Sequence, residues 1–354
     1  MKKLRIGVIG NGGISNSVHL PAYRNIKDAE IVATCDLIPQ RMDAAEEIIG
    51  HPLKKYTNYE DLIADKDIDA IDICTPNYLH SIIAVKALKA NKHVFCEKPD
   101  AVSVEEVLKM QKAAEESKKV LMVMRNNRHL STSKFLKKYI EEGKMGEIYC
   151  GRCGWIRRRG IPGRGGWFTT KEKSGGGPLI DLGVHMIDLA IYLMGNPKPI
   201  AVSGSVFNKF ANDDAESDSV HSSFGDVVEN GTFDVEDLAM GFIKFDNGAC
   251  LQIEFSWASN VKEEKNFVEL RGTKGGLSWE PNHYTIFTEE NGQLFDLEPK
   301  GSLISNGHAA NLQHFVDVVL HDKKPDFVPQ QGVHMIKILE AIYKSAEIGK
   351  EVLL

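Results

Sequence analysis

No apolar run in this 354-residue chain approaches the roughly 20 residues that a bilayer-spanning helix needs. Net positive charge is missing too: 43 Lys and Arg stand against 49 Asp and Glu, for a net charge of −6, so nucleic-acid binding has no electrostatic footprint. The six cysteines are scattered. Cys35, Cys74 and Cys96 each end an apolar strand-like run, where a small buried thiol is ordinary. Cys150 and Cys153 form a lone CxxC without the second pair a zinc site needs. On a strand, an offset of three points them to opposite faces. The opening "MKKLRIGVIG" has no long apolar stretch and no small-residue cleavage site, so it reads as a first strand rather than a secretory signal. A cytoplasmic protein with no membrane, nucleic-acid or metal partner is expected.

What is present is a globular composition, 42% hydrophobic and 26% charged, over a length that suits two domains. The expected division is 1–124 and 125–354. Up to about Met124 strand and helix patterns alternate. "LRIGVIG", "AEIVATCD", "IDAIDIC", "KHVFCEK" and "VLMVMR" are strands, separated by helical stretches such as "PQRMDAAEEII" and "VEEVLKMQKAAEESK". That rhythm predicts a doubly wound parallel sheet. Beyond it come a helix near 133–142, a strand at 148–158, an Arg- and Gly-rich loop, and mostly strands between 200 and 295. Asn247-Gly248 is a hairpin signal. Two helices, near 308–320 and 333–348, close the chain. The second domain therefore reads as α+β with an open, largely antiparallel sheet. The acidic stretch "NDDAESDSVHSSFGD" reads as an exposed loop.

"GVIGNGGIS" leaves the first strand and enters a helix. Gly10 and Gly12 take the first two positions of G-x-G-x-x-G, with Ser15 in the third, where Gly or Ala is usual. Gly10 permits the tight turn, and Gly12 lets backbone approach a pyrophosphate at the helix N-terminus. Asp36 ends the next strand at the spacing of a ribose-binding acid, which favours NAD over NADP. Arg41 leaves some room for the latter.

Two turns follow strand ends, where doubly wound folds bind ligands. Thr75-Pro76-Asn77 leads into a helix, with His80 one turn on. In "CEKP", Lys98 stands between Glu97 and Pro99, an unusual place for a solvated lysine. Directed into a cofactor cleft, it could donate to a reacting oxygen.

The stretch "SGGGPLIDLGVHMIDL" at 174–189 has three readings. Pro178 suits the first turn of a helix and Gly195 its stop, so Asp181 and His185 sit at i and i+4 on one face. A metal site would lack further ligands nearby. A local side-chain pair is one alternative. The other is a proton relay, with a neutral histidine taking the hydroxyl proton during alcohol oxidation.

In this order, the glycine loop, "TPNYLH", "EKP" and "GGGPLIDLGVHMID" resemble the Gfo/Idh/MocA oxidoreductases, a family that includes glucose–fructose oxidoreductase and inositol dehydrogenases. The likeness extends to "DVEDLA", "WAS" and the closing "GVHMIKILEAIYKSAEIGKEV". It implies a Rossmann domain followed by a C-terminal α/β domain whose open sheet assembles homodimers or homotetramers. It also implies catalytic positions at Lys98, Asp181 and His185: His185 as acid/base, Lys98 as electrostatic stabiliser, Asp181 as orienter or substrate ligand. The expected cofactor contacts are Gly10, Asn11, Gly12, Gly13, Ile14, Asp36, Thr75, Pro76, Asn77, His80, Glu97 and Lys98. Arg128, Arg157 and Trp167 are candidate substrate contacts. In "RRRGIPGRGGWF" Arg157 and Arg159 would face one way on a strand and Arg158 the other.

The function expected is NAD-dependent hydride transfer at a secondary hydroxyl of a sugar, sugar derivative or cyclitol. An NAD-dependent glycosidase using transient oxidation, and a non-catalytic nucleotide-sensing regulator, are the alternatives.

Overall fold

The computed structural model describes residues 3–211, 224–301 and 303–354. Most of the acidic stretch, residues 212–223, lies outside the described residues. The chain forms two compact units, Met1–Met124 with His308–Ile336, and Arg125–Gly307 with Lys337–Leu354.

The first unit is built on six parallel strands: β1 (Leu4–Ile9), β2 (Ala29–Cys35), β3 (Lys54–Tyr56), β4 (Ala70–Ile73), β5 (His93–Cys96) and β6 (Leu121–Val123). Their order is β3-β2-β1-β4-β5-β6, the doubly wound arrangement with its switch point between β1 and β4. All four residues of β4 are buried, as expected where helices cover both faces of a parallel sheet. The short edge strand β3 was not predicted: its sequence, KKY, is largely exposed and carries no apolar run. The helix Val104–Ser117 starts where the pattern placed it, capped by the Ser103 hydroxyl, which accepts the Glu106 N–H at 3.2 Å.

A division at 124/125 leaves both closing helices in the second domain, but the structure distributes them differently. Gly307–His321 belongs almost wholly to the first unit, where Phe315 packs on Phe95 with ring centroids 5.3 Å apart. The helix Pro329–Ile348 gives its residues up to Ile336 to the first unit and the rest to the second.

Among the described residues the second unit carries nine strands: β7 (Ile148–Ile156), β8 (Pro199–Phe207), β9 (Leu238–Phe245), β10 (Cys250–Ser256), β11 (Lys265–Gly272), β12 (Gly275–Glu280), β13 (His283–Glu290), β14 (Gln293–Leu297) and β15 (Val352–Leu353). The order is β14-β13-β12-β11-β7-β10-β9-β8-β15. Only β7 and β10 pair in parallel; the other neighbours are antiparallel. Gly248, at φ +85°, turns the β9–β10 hairpin, and the Asn247 side chain accepts the Ala249 N–H. The helix Gly183–Leu193 packs its apolar side against β7, β10 and β11, burying Met186, Ile187 and Leu189. Cys153 is buried in β7 while Cys150 is half-exposed. All six cysteines are free, and burial pushes the Cys153 thiol well up.

Candidate active site

In the first unit the glycine loop leaves β1 and opens a helix at Gly13. Gly10 has φ +91°, and a Cβ there would lie 2.6 Å from the Cys74 carbonyl, so only glycine fits. Gly12 differs: a Cβ would meet nothing within 4 Å. Packing inside the unit does not require glycine at 12, and the space before its backbone is open to an approaching phosphate. Ser15 is buried and fills the third position. Asp36 lies against the loop, Oδ2 accepting the Asn11 N–H at 2.7 Å and Oδ1 the Ile38 N–H at 2.9 Å. These features fit a dinucleotide: a turn, an accessible helix start and an oriented acid beside it.

The TPN and EKP turns are tied together inside this unit. His80 Nδ1 lies 2.7 Å from the Pro99 carbonyl and Nε2 2.8 Å from that of Thr75. Burial holds its pKa below the ordinary value, and a neutral ring donates to only one of the two carbonyls. His80, read from sequence as a cofactor contact, has both nitrogens occupied by backbone and braces the two turns. Glu97 is similarly engaged: Oε1 lies 2.8 Å from His19 Nε2, and Oε2 accepts the Lys98 N–H at 3.1 Å. Lys98 follows the carboxyl end of β5.

In the second unit the GGG run has an internal explanation. Gly175 caps the short helix Lys171–Ser174 in the left-handed conformation. A Cβ on Gly176 would stand 1.9 Å from the Tyr343 hydroxyl, and one on Gly177 would stand 2.0 Å from the Glu236 carbonyl. The Glu236 carboxylate accepts the Gly177 and Leu179 N–H groups at 3.0 and 3.1 Å and the Tyr343 O–H at 2.9 Å. It thus satisfies the free N–H groups at the start of Pro178–Asp181. Burial raises the Glu236 pKa, although these donors oppose the shift.

The predicted single helix is two. Pro178–Asp181 ends at Leu182, and Gly183–Leu193 begins at an angle to the preceding helical segment. The Gly183 hydrogen faces the Phe255 ring, 3.2 Å from where a Cβ would be, so Phe255 packs at the bend. Asp181 therefore closes one segment while His185 opens the next. Asp181 Oδ2 accepts the Trp257 indole N–H at 2.9 Å. The Trp155 ring lies 5.9 Å from that of His185, and Arg157 stacks 5.0 Å above Trp155. Arg157 is buried, its Nη1 donates to the Gly160 carbonyl, and the Asp181 charge partly offsets its burial. The second unit thus gathers Asp181, His185, Arg157, Trp155 and Trp257.

Other arginines have different partners. Arg128 is buried with Nε and Nη2 on the Asp188 carboxylate at 2.7 and 2.6 Å, and Arg125 Nε reaches the same group at 2.9 Å. Asp188 thus anchors two arginines. β7 stops at Ile156, so the alternation expected through Arg159 does not hold. Arg159 bonds the Ser259 carbonyl and Asn260, and Arg164 bonds the Phe210 and Ala211 carbonyls. Trp167 stacks on Phe168 at 3.8 Å.

Sequence reasoning missed His19, Asp72, Trp155, Trp257, Glu236 and Tyr343. Glu236, inside "DVEDLA", Trp257, inside "WAS", and Tyr343, inside the closing "GVHMIKILEAIYKSAEIGKEV", lay in stretches tied to the family resemblance, and Asp72 lay in the strand "IDAIDIC".

A doubly wound nucleotide-binding unit followed by a mixed-sheet unit defines a two-domain oxidoreductase architecture. The chain belongs to the Gfo/Idh/MocA oxidoreductases: residues 4–125 match the family's NAD-binding Rossmann fold, and residues 137–354 match its C-terminal alpha/beta domain. It is 34% identical over 352 residues to the D-glucoside 3-dehydrogenase of Escherichia coli (strain K12), covering 99% of this chain and 97% of that protein. It is 31% identical to the levoglucosan dehydrogenase of Pseudarthrobacter phenanthrenivorans, over 78% and 73% of the two chains. The solved levoglucosan dehydrogenase complex with NADH and levoglucosan shares the fold at a TM-score of 0.86 and 23% identity, with 99% of each chain covered. Among the described residues no single helix is long and apolar enough to cross a membrane.

Proposed function

We propose that this protein oxidises a D-glucoside at its 3-hydroxyl, with NAD as hydride acceptor. The observation that carries this reading is the placement of Lys98 two residues after β5 of the NAD-binding unit, together with Asp181 and His185 around the bend at Leu182. The full-length likeness to a D-glucoside 3-dehydrogenase supplies the substrate class.

NAD would be held by the loop at Gly10–Gly13, with Asn11 and Ile14, by Asp36 and by the Thr75–Asn77 turn, and when bound it supplies the hydride acceptor. His185 takes the hydroxyl proton as the carbon is oxidised. The Lys98 ammonium donates to the oxygen as it gains charge, stabilising the developing alkoxide. Asp181, oriented by the Trp257 indole, accepts from a neighbouring sugar hydroxyl. Trp155 offers an aromatic face beside His185, and Arg157 fixes that face by stacking on it. Trp167 is a further sugar contact in this reading.

The open sheet supports a homo-oligomer. Met240 and Phe242 of β9, Tyr149 of β7, Phe207 of β8 and Phe287 of β13 are exposed large apolar side chains, an arrangement suited to a second copy. Six unpaired cysteines suit a reducing compartment.

The test is NADH formation at 340 nm with methyl glucosides, free glucose, myo-inositol and glucose 6-phosphate. Net NADH formation, greatest with the glucosides, is the expected result. Glycoside cleavage without net NADH, or preference for inositol, would contradict it.

A further inference from the structure

Three segments of the first unit bring His19, Asp72, Cys74 and Glu97 into one buried cluster. His19 comes from the π-helical turn Ser15–His19 after the glycine loop. Asp72 lies in β4, Cys74 follows it, and Glu97 follows β5. His19 Nδ1 stands 2.8 Å from Asp72 Oδ2, and Nε2 stands 2.8 Å from Glu97 Oε1. The Cys74 sulfur lies 3.4 Å from Nδ1. Glu97 then accepts the Lys98 N–H with its other oxygen.

A neutral imidazole has one N–H and one lone pair, so it can donate to only one carboxylate. Two ionised carboxylates, one at each nitrogen, require the imidazolium. The electrostatics agree: burial opposes charge on His19, yet the Asp72 carboxylate, through its charge and its hydrogen bond, raises the pKa well above the ordinary value. Burial alone would raise Glu97, but the His19 hydrogen bond and charge bring it down to about 2. Tyr23 on the next helical turn, Lys98 and Cys96 at the end of β5, His80 between the two turns and His308 on the helix Gly307–His321 are further titratable groups that act on this cluster.

We propose that His19 is a positioning residue that bridges Asp72 and Glu97 as a permanent imidazolium and so fixes the backbone from which Lys98 projects. It does not exchange protons during turnover. It locks the helix after the glycine loop to the EKP turn, so the nucleotide-binding segment and the Lys98 segment hold one relative geometry within this unit. The catalytic consequence rests on the proposed role of Lys98; the protonation state does not. His19, Asp72 and Cys74 also have the spacing of a metal-ligand set. However, Nδ1 and Oδ2 at 2.8 Å are closer than two ligands of one tetrahedral zinc would stand, and match a direct hydrogen bond.

Two measurements test this. The first is nitrogen NMR of histidine-labelled wild-type protein, where both His19 ring nitrogens should carry protons at about pH 8, well above the ordinary histidine range. One bare ring nitrogen at that pH, or one equivalent of zinc that EDTA removes, overturns the proposal. The second is a cycle of H19Q, E97Q and the double variant, read by kcat, NADH dissociation constant and Tm. Each single change should lower kcat about tenfold or more, and the double variant should fall no further than the worse single. D72N, which keeps an acceptor for Nδ1–H, should stay within about threefold of wild type in kcat. Multiplying losses in the double variant, or losses that simply follow Tm across the series, overturn it. If K98M turns over like wild type, the proposed role of Lys98 fails while the NMR result still decides the state of His19.

Discussion

Glu97 in the first unit and Glu236 in the second are both buried carboxyls set beside a candidate catalytic segment, yet they are held in opposite ways. Glu97 faces a cation, His19, and its pKa falls to about 2. Glu236 is held by neutral donors, among them the Gly177 and Leu179 N–H groups and the Tyr343 hydroxyl, and burial raises its pKa. A buried carboxylate offered a full charge remains ionised; one offered dipoles alone pays more of its desolvation cost. The first arrangement positions Lys98 by ionic bridging, and the second positions the start of the Asp181 segment by capping.

The largest effects are expected from the groups proposed to do chemistry. H185A and K98M should each lower kcat by about 10²-fold or more, within the usual range for acid–base groups, with the NADH dissociation constant little changed. Near-normal turnover by both would remove the distinction between positioning and reacting residues.

Next come the two glutamates. E97Q leaves His19 with one carboxylate fewer and should cost about 3–5 kcal/mol, as for breaking a buried ion pair. E236Q turns an amide toward N–H donors and should cost about 1–3 kcal/mol. Urea unfolding of both variants checks the order, and equal costs would break the comparison.

Their pH dependences should run in opposite senses. Because Glu97 is lowered on folding, its contribution is present above the ordinary carboxylate pKa and is lost as pH falls toward 2. The advantage of wild type over E97Q should therefore hold down to about pH 5 and shrink from there to about pH 3. Glu236 is raised, so its ionisation weakens the folded state at neutral pH, and the advantage of wild type over E236Q should grow on acidification from about pH 7 to about pH 5. Thermal melts across both ranges decide the matter, and parallel trends contradict it.

An effect of the same size as that of E236Q, about 1–3 kcal/mol, is expected from G176A, whose Cβ meets the movable end of Tyr343. Combining it with Y343F should recover part of the loss. The exposed Arg152–Glu269 pair should be worth no more than about 1 kcal/mol, so R152Q serves as the low end of the scale in the same unfolding assay.

The sequence made legible whatever is local and periodic. Five of the six strands of the first unit showed as apolar runs between helical patterns, and Gly10 showed as a turn that admits no side chain. β3 did not show, because three residues at a sheet edge carry no buried face. The bend at Leu182 was hidden because "LIDLGVHMIDL" stays apolar at helical spacing straight through it. The positioning residues were hidden by distance along the chain. His19 lies 78 residues from Glu97, Gly177 lies 59 from Glu236, and Tyr343 a further 107 from Glu236. Two of the three positions in the triple glycine are closed to a side chain by Tyr343 and Glu236, neighbours that no local pattern announces.

The most direct test of the central claim is a single-turnover reaction of the NAD-loaded protein with methyl glucoside deuterated at C3. The account predicts a rise at 340 nm with deuterium recovered at C4 of the nicotinamide, and neither in H185A or K98M. A nicotinamide that stays unlabelled while the wild-type protein converts the glucoside would contradict it.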